Sequence, residues 1–121
     1  MSLADKNLHE LSRLVFSDKY EFVDSPQKIV GKSGKSWSFD ALIRTKELEK
    51  FGVFIRDWKR EISITQLRQL HKAIEDVSFQ GGIMICNIVS DFSQEFCSQF
   101  GIQLFSKGHL ISKLRARQYS C

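Results

Sequence analysis

The segment from Ile83 to Ile88 restricts the fold more than any other part of the sequence. Its apolar residues Ile83-Met84-Ile85-Cys86 are consecutive and follow the pair Gly81-Gly82. A continuous apolar run of this length is typical of a strand that is covered on both faces. Apolar residues at helical spacing flank the run on each side, at Leu67, Leu70, Ile74 and Val77 and again at Phe92, Phe96 and Phe100. The pattern predicts a sheet between helices, with the three phenylalanines in the core.

The other segments predict an α/β fold in the order α-β-β-β-α-β-α-β-α. Asn7 and Glu10 have the spacing of a capping pair at the first helix, and Ser63 and Gln66 have it at the second. Asp91 and Gln94 repeat this spacing at the third helix, and Gly101 is placed to end it. This order implies a central mixed β-sheet flanked by helices. A length of 121 residues favours a single domain over 1–121.

Composition is that of a soluble globular protein. The sequence is 42% hydrophobic and 26% charged, which is enough for a core and a solvated surface. No apolar run approaches the roughly 20 residues of a membrane span, and no signal-peptide core is recognisable, so a cytoplasmic location is expected. The odd number and wide spacing of the cysteines fit neither a disulfide framework nor a zinc site: Cys86, Cys97 and Cys121.

Two acids and a lysine interrupt strand-like segments in the middle of the chain. Asp40 lies in the segment 38–43, and Asp57 and Lys59 end the segment 51–59. Alternate side chains of a strand share a face, so Asp57 and Lys59 point the same way. If the two strands are neighbours, Asp40 approaches Asp57 across the ladder. Carboxylates converging beside an ammonium predict a divalent-metal site for phosphodiester hydrolysis, with Asp40 and Asp57 as ligands.

The arrangement Asp40…Asp57-Trp58-Lys59, with a helix and another strand following, resembles the PD-(D/E)xK nuclease superfamily. Within it, the stretches Gly82–Asn87, Asp91–Phe96 and Gly101–Leu104 look similar to Mrr-type restriction endonuclease domains. The resemblance covers roughly residues 5 to 112. It implies a restriction-endonuclease-like fold with an α-β-β-β-α-β core, Mg²⁺ or Mn²⁺ as cofactor, and Asp40, Asp57 and Lys59 as catalytic residues.

The sequence also departs from this family. Phe39 stands where the superfamily pattern has proline, and many Mrr-type domains have glutamine in the place of Asp57. The polar loop Gly31-Lys32-Ser33-Gly34 is similar to the Gly/Ser loop of archaeal Holliday-junction resolvases, which share the fold. Gln66 and Glu10 are possible auxiliary residues, although capping for Gln66 and surface exposure for Glu10 are the simpler explanations.

Basic residues without neighbouring acids suggest a nucleic-acid partner. The net charge is +4, and two stretches contain only basic charges, which suits a phosphate backbone. Ser33 adds backbone and hydroxyl donors in a flexible loop. The predicted DNA contacts are Lys32, Ser33, Lys35, Arg115 and Arg117.

The expected function is metal-dependent hydrolysis of DNA. A structure-selective nuclease of the junction-resolvase type is one alternative, and a catalytically inactive module that binds DNA or a protein is another. The sequence is too short to include a separate target-recognition domain. A homodimer or a partner specificity subunit is therefore expected to supply specificity.

Overall fold

The computed structural model describes the backbone of residues 3–118 and the side chains of residues 3–117. Within these residues a short 3₁₀ turn at Leu3–Asp5 precedes four α-helices and seven β-strands. Cys121 lies outside the described residues. In chain order the elements are α1 (Leu8–Phe16), β1 (Glu21–Asp24), β2 (Ile29–Val30), β3 (Ser36–Trp37), β4 (Ala41–Arg44), β5 (Lys50–Glu61), α2 (Ile64–Val77), β6 (Gly81–Ile88), α3 (Asp91–Phe100), β7 (Ile102–Ser106) and α4 (Lys107–Gln118).

A five-stranded mixed sheet in the order β1-β4-β5-β6-β7 forms the centre of the fold. The pairs β1–β4 and β4–β5 are antiparallel, whereas β5–β6 and β6–β7 are parallel. The predicted mixed sheet flanked by helices is therefore confirmed. Strands β2 and β3 pair with each other in a separate hairpin. The sequence predicts only a flexible loop at the tip of this hairpin, because strands of two residues have no periodicity.

Helices cover both faces of the sheet and divide the core into two clusters. Ile83 and Ile85 of β6 pack with α1 and α4 on one face, and Met84 and Cys86 pack with α2 and α3 on the other. This alternation confirms that the apolar run of β6 is a strand buried on both sides. Within residues 3–118, the structure contains no helix with the length and hydropathy that crossing a membrane requires.

The helix termini agree with the sequence patterns in part. Asn7 Oδ1 accepts the Glu10 N–H at 2.9 Å, and Gly101 ends α3 with a φ of 69°. Helix α3, however, is capped by Ser90 and not by Asp91. Phe92 is 76% exposed and Phe100 is 43% exposed, so the prediction that these two residues lie in the core is wrong. The reason is a shift of the buried face, which in α3 contains Ser93 and Cys97.

Strand directions define two ends of the sheet. Strand β4 begins on the side of the sheet toward which β5 and β6 run, because β5 is antiparallel to β4 and parallel to β6. We call this the acidic end, since Asp40 immediately precedes β4 and Asp57 lies in the second half of β5. The opposite end, which contains the β4–β5 connection at 45–49, is the turn end.

Candidate active site

Asp40 closes the gap where β4 and β5 separate. The last paired residues of β4 and β5 at this end are Ala41 and Val53. One residue earlier, the Asp40 N–H donates to the Val53 carbonyl at 2.9 Å, and its carboxylate accepts the Ile55 N–H at 2.8 Å. The Asp40 side chain therefore takes the place of the backbone hydrogen bonds that would otherwise join β4 and β5 at this point. Its carboxylate is fixed in position while the side chain stays 35% exposed.

Arg56 is the direct partner of Asp40. Its Nη1 lies 2.7 Å from Asp40 Oδ2, and its Nε donates to Gln66 Oε1 at 3.0 Å. The guanidinium also lies 4.5 Å from the centre of the Phe54 ring. These contacts hold the side chain from three sides, and it is 22% exposed. A charge-assisted hydrogen bond of this length is among the stronger polar contacts in a protein.

Asp57 lies on the other side of β5, toward β6. Its Oδ1 accepts a hydrogen bond from Asn87 Nδ2 at 2.8 Å. The same amide donates to the Trp58 carbonyl, also at 2.8 Å. The register between β5 and β6 shifts between Arg56 and Glu61, and Asn87 bridges this irregular segment. Asp57 and Lys59 are both exposed at the sheet surface.

Asp40 and Asp57 have different partners in the structure. The Asp40 carboxylate contacts the Ile55 N–H and Arg56, and the Asp57 carboxylate accepts a hydrogen bond from Asn87. No three His, Cys, Asp or Glu side chains among residues 3–117 form a group able to hold a metal ion. Shared metal ligation by the two carboxylates stays a prediction.

The donor chemistry of Asp40 nevertheless suits a hard cation. Its carboxylate is partly exposed, held in place by a backbone N–H, and already paired with a positive group, the Arg56 guanidinium. Carboxylate oxygens are the ligands that Mg²⁺ prefers in proteins. The acidic end thus contains a positioned, partly exposed carboxylate at Asp40 and a second, exposed carboxylate at Asp57.

The two auxiliary residues also lie at the acidic end. The Gln66 N–H donates to the capping Ser63 Oγ at 3.3 Å, but the Gln66 side chain turns to Arg56. Capping therefore explains only the backbone of Gln66. Glu10 is exposed and lies 3.9 Å from Lys6. It lines a groove with Ser25, whose N–H donates to the Asp40 carbonyl at 3.1 Å.

The predicted DNA contacts of the C-terminal helix are distant from the acids. Arg117 Nη1 donates to the Leu14 carbonyl at 2.8 Å, Nη2 donates to the Val15 carbonyl, and Nε lies 3.7 Å from Asp18. It also lines a cavity of about 620 Å³ with residues 45–47 at the turn end. The guanidinium of Arg117 therefore caps the carbonyl end of α1, and its contact with DNA stays a prediction. Arg115 is exposed.

Ser33 also has partners within the protein, and its contact with phosphate stays a prediction. Its N–H and its hydroxyl both donate to the Asp76 carboxylate, at 2.9 and 2.7 Å, so these donors are already satisfied by an internal anion. Lys32 and Lys35 remain exposed on the same hairpin. Lys32 lines a groove with Gly81, the first residue of β6, which places it toward the turn end.

Asp76 of α2 fixes the β2–β3 hairpin to the domain. Besides the Ser33 donors, it accepts the Trp37 indole N–H at 2.7 Å. A Cβ at Gly31 would lie 2.0 Å from Asp76 Oδ2, so only glycine fits beside the carboxylate. The hydrogen bonds from Trp37 and Ser33 lower the pKa of Asp76 below its ordinary value.

This shift predicts a pH-dependent contribution of Asp76 to folding. A lowered folded-state pKa means that the stabilisation is present above pH 3.8, the group's ordinary value, and is lost as the pH falls through the folded-state pKa. We expect Asp76→Asn to be less stable than the wild type at neutral pH and to lose less stability on acidification. Urea unfolding at pH 7 and near pH 3 measures this. Parallel pH profiles for the two proteins would contradict the assignment.

Arg56 and Asn87 are the site residues that the sequence analysis missed. Arg56 interrupts an apolar strand next to Asp57, and Asn87 ends the apolar run of β6. Both signals were visible, since polar residues at the carboxyl ends of neighbouring parallel strands meet at one edge of a sheet. Neither residue is a carboxylate, so neither belongs to a metal-ligand pattern in the sequence.

Comparison with known proteins gives structural matches only. No family model matches the sequence, and no curated protein matches it significantly. The structure of AF1548, a protein of unknown function, matches with a TM-score of 0.66 at 14% identity. The match covers 79% of this chain and 54% of the AF1548 chain. A repair endonuclease from Pyrococcus abyssi has a TM-score of 0.57 at 12% identity and covers 84% of this chain and 47% of its own.

A third match is the ATP-dependent Type ISP restriction-modification enzyme LlaBIII bound to DNA. Its TM-score is 0.58 at 10% identity, over 85% of this chain and 7% of that enzyme. The chain spans about half the length of the first two matched structures. At such low identities the likeness concerns the fold alone. The chain has a restriction-endonuclease-like fold.

Proposed function

We propose that this domain hydrolyses DNA phosphodiester bonds with Mg²⁺ or Mn²⁺ as cofactor. The observation that carries the proposal is the placement of Asp40, whose carboxylate is fixed where two central strands separate and already binds a cationic group. Asp57 and Lys59 lie at the same end of a sheet whose fold is shared with a repair endonuclease and a restriction-modification enzyme. Mrr-type chemistry and a homodimer or partner specificity subunit are parts of the same proposal.

The roles of the residues follow from their chemistry. Asp40 would bind the divalent ion, and Asp57 would join it after releasing Asn87. When bound, the ion polarises the phosphodiester group and stabilises the charge that develops on its oxygens. Lys59 would orient the attacking water and neutralise charge at the phosphate. Glu10 and Gln66 lie near enough to the start of β4 to act as auxiliary groups.

Cleavage assays test the proposal directly. Supercoiled, linear, branched and single-stranded DNA are incubated with the protein in Mg²⁺, in Mn²⁺ and in EDTA. We expect products only with a divalent ion, and none from Asp40→Asn at equal protein concentration. Preferential cleavage of branched DNA would support the junction-resolvase alternative. Binding of DNA without cleavage under any of these conditions would contradict a nuclease function.

A second function is favoured by the Asp40–Arg56 ion pair. If the guanidinium stays on the carboxylate, it occupies the place of a metal ion while its free edge can bind a phosphate, as expected of a catalytically inactive DNA-binding module. The two functions differ in the effect of EDTA on duplex affinity. A nuclease that uses metal in binding loses affinity in EDTA, whereas an inactive module binds equally well.

The DNA footprint is tested by the salt dependence of binding. The remaining exposed cations of the predicted footprint are Lys32, Lys35 and Arg115. We expect their joint replacement with glutamine to lower the log–log salt slope by about 0.9 for each phosphate that the protein no longer neutralises. The double variant Lys59→Gln/Arg60→Gln is the comparison at the acidic end. An unchanged slope in the triple variant would exclude the hairpin and the C-terminal helix from the footprint.

A further inference from the structure

Arg56 stands at Asp40 where the proposed metal ion would bind. Its Nη1 contacts Asp40 Oδ2 at 2.7 Å, the same oxygen that accepts the Ile55 N–H. A divalent ion on this oxygen would lie beside a fixed positive charge, and two cations at such a distance repel each other strongly outside bulk water. Arg56 and a metal ion therefore compete for Asp40.

The surroundings of Arg56 hold it in the competing position. Gln66 accepts its Nε–H from α2, and the Phe54 ring lies under the guanidinium at 4.5 Å. Its Nη1 also lies 3.3 Å from the Ile55 carbonyl. In the described contacts Nη2 has no protein acceptor, and the side chain is 22% exposed. One edge of the guanidinium thus remains able to bind an anion from solution.

We propose that Arg56 is a built-in competitor for the metal ion and is drawn away from Asp40 when a DNA phosphate binds its guanidinium. Phosphate oxygens bind arginine in a two-pronged geometry that a single carboxylate oxygen does not provide here. DNA binding then frees Asp40, and the metal binds only when substrate is present. This inference rests on the proposed nuclease function and adds its regulation.

Coupling of this kind is reciprocal. If DNA raises the affinity for metal by some factor, metal raises the affinity for DNA by the same factor. A protein without the Arg56 side chain lacks the competition, so its metal affinity is high before DNA is added. The proposal therefore predicts both a gain in metal affinity on removal of Arg56 and a loss of coupling.

Isothermal titration with Mn²⁺ in the absence of DNA is the first measurement. We expect Arg56→Gln to bind Mn²⁺ about tenfold more tightly than the wild type, and Asp40→Asn/Arg56→Gln to lose that binding. Arg60→Gln is the matched control. Arg60 also lies over an aromatic ring, with its Cζ 4.7 Å from the centre of the Trp58 ring, but it has no contact with Asp40 among the described residues. Its Mn²⁺ affinity should equal that of the wild type.

A second variant guards against misfolding of Arg56→Gln. Gln66→Leu removes the α2 acceptor of Arg56 and leaves the arginine in place. It should give an intermediate gain in Mn²⁺ affinity. Thermal unfolding of each variant confirms that the fold is kept. Equal Mn²⁺ affinity in the wild type, Gln66→Leu and Arg56→Gln would overturn the competition.

The second measurement tests the coupling. Mn²⁺ is titrated with and without a saturating short duplex, in a Lys59→Ala background chosen to slow cleavage. DNA should raise Mn²⁺ affinity with Arg56 present and have little effect in Lys59→Ala/Arg56→Gln. Equal effects of DNA in both would overturn the release step.

Failure of the inference and failure of the function give different results. If the wild type binds Mn²⁺ tightly through Asp40 and also cleaves DNA, the proposal that Arg56 competes with the metal is overturned. The proposed nuclease function is then supported. Absence of Asp40-dependent Mn²⁺ binding in every variant overturns both the competitor and the metal site.

Discussion

Replacing Lys59 with alanine is expected to lower the rate of DNA cleavage by about 10²–10³, or roughly 3–4 kcal/mol of transition-state stabilisation. Lys59 is exposed on the last third of β5, beside Asp57 and Trp58. Its proposed interaction strengthens only as charge develops at the phosphate, so the affinities for DNA and metal should stay nearly unchanged. Single-turnover cleavage and separate binding titrations measure the two effects.

Two neighbouring substitutions make the Lys59 result interpretable. Arg60→Ala is the control, because Arg60 points to the other side of β5, where its guanidinium lies over the Trp58 ring. It should remain largely active. Asp57→Ala should lose cleavage and metal binding together. Metal-dependent cleavage at near wild-type rate in Lys59→Ala would show that the motif resemblance at Asp57-Trp58-Lys59 is accidental.

Replacing Gly52 with alanine is expected to lower the free energy of unfolding by about 1–3 kcal/mol through overpacking. Gly52 lies in β5 between Leu42 and Gly82 of the neighbouring strands. A Cβ there would lie 2.4 Å from Phe39 Cε1 and 2.9 Å from Ile74 Cδ1. The Phe39 ring would have to move, and Phe39 directly precedes Asp40. Urea unfolding measures the loss of stability.

The matched control is Gly108→Ala in α4. The nearest atom to a Cβ at this position is Ser106 Oγ at 3.7 Å, so the methyl group has room. Gly108 has no positive φ, and alanine in place of glycine at such a position stabilises a protein by about 0.4–1 kcal/mol, because it lowers the conformational entropy of the unfolded chain. The two substitutions should therefore shift the urea midpoint in opposite directions. A stable Gly52→Ala protein would mean that Phe39 repacks more easily than its buried position suggests.

Much of the fold was predictable because its signals are local. The apolar run of β6 identified a strand covered on both faces, and Gly101 marked the end of α3. The short strands β2 and β3 were missed, because two-residue strands have no periodicity. Phe92 was misplaced because its spacing to Phe96 matches a helical stripe, while the buried face of α3 follows Ser93 and Cys97.

The site was predicted by residue type but not by arrangement. Asp40, Asp57 and Gln66 all lie at the acidic end, yet the sequence contains no sign that Arg56 pairs with Asp40. The pairing joins residues from two different segments, 16 positions apart, and depends on which side of β5 each side chain reaches. Ser33 and Arg117 were assigned to DNA because their internal acceptors, Asp76 and the carbonyls of α1, are distant in sequence.

The length of β5 has a consequence for how this surface responds to a ligand. Residues 51–53 are paired on both sides, whereas β5 beyond Arg56 regains register with β6 only at Glu61. We therefore expect residues 51–53 to be rigid and the segment between Arg56 and Glu61 to be more mobile. Amide hydrogen exchange should be slow at Val53 and fast near Lys59. The segment between Arg56 and Glu61 can then adjust its conformation to the curved backbone of a DNA ligand. The two hydrophobic clusters on the faces of the sheet stay intact when it does so. The first part of β5 therefore stabilises the fold, and the last part can adapt to a ligand.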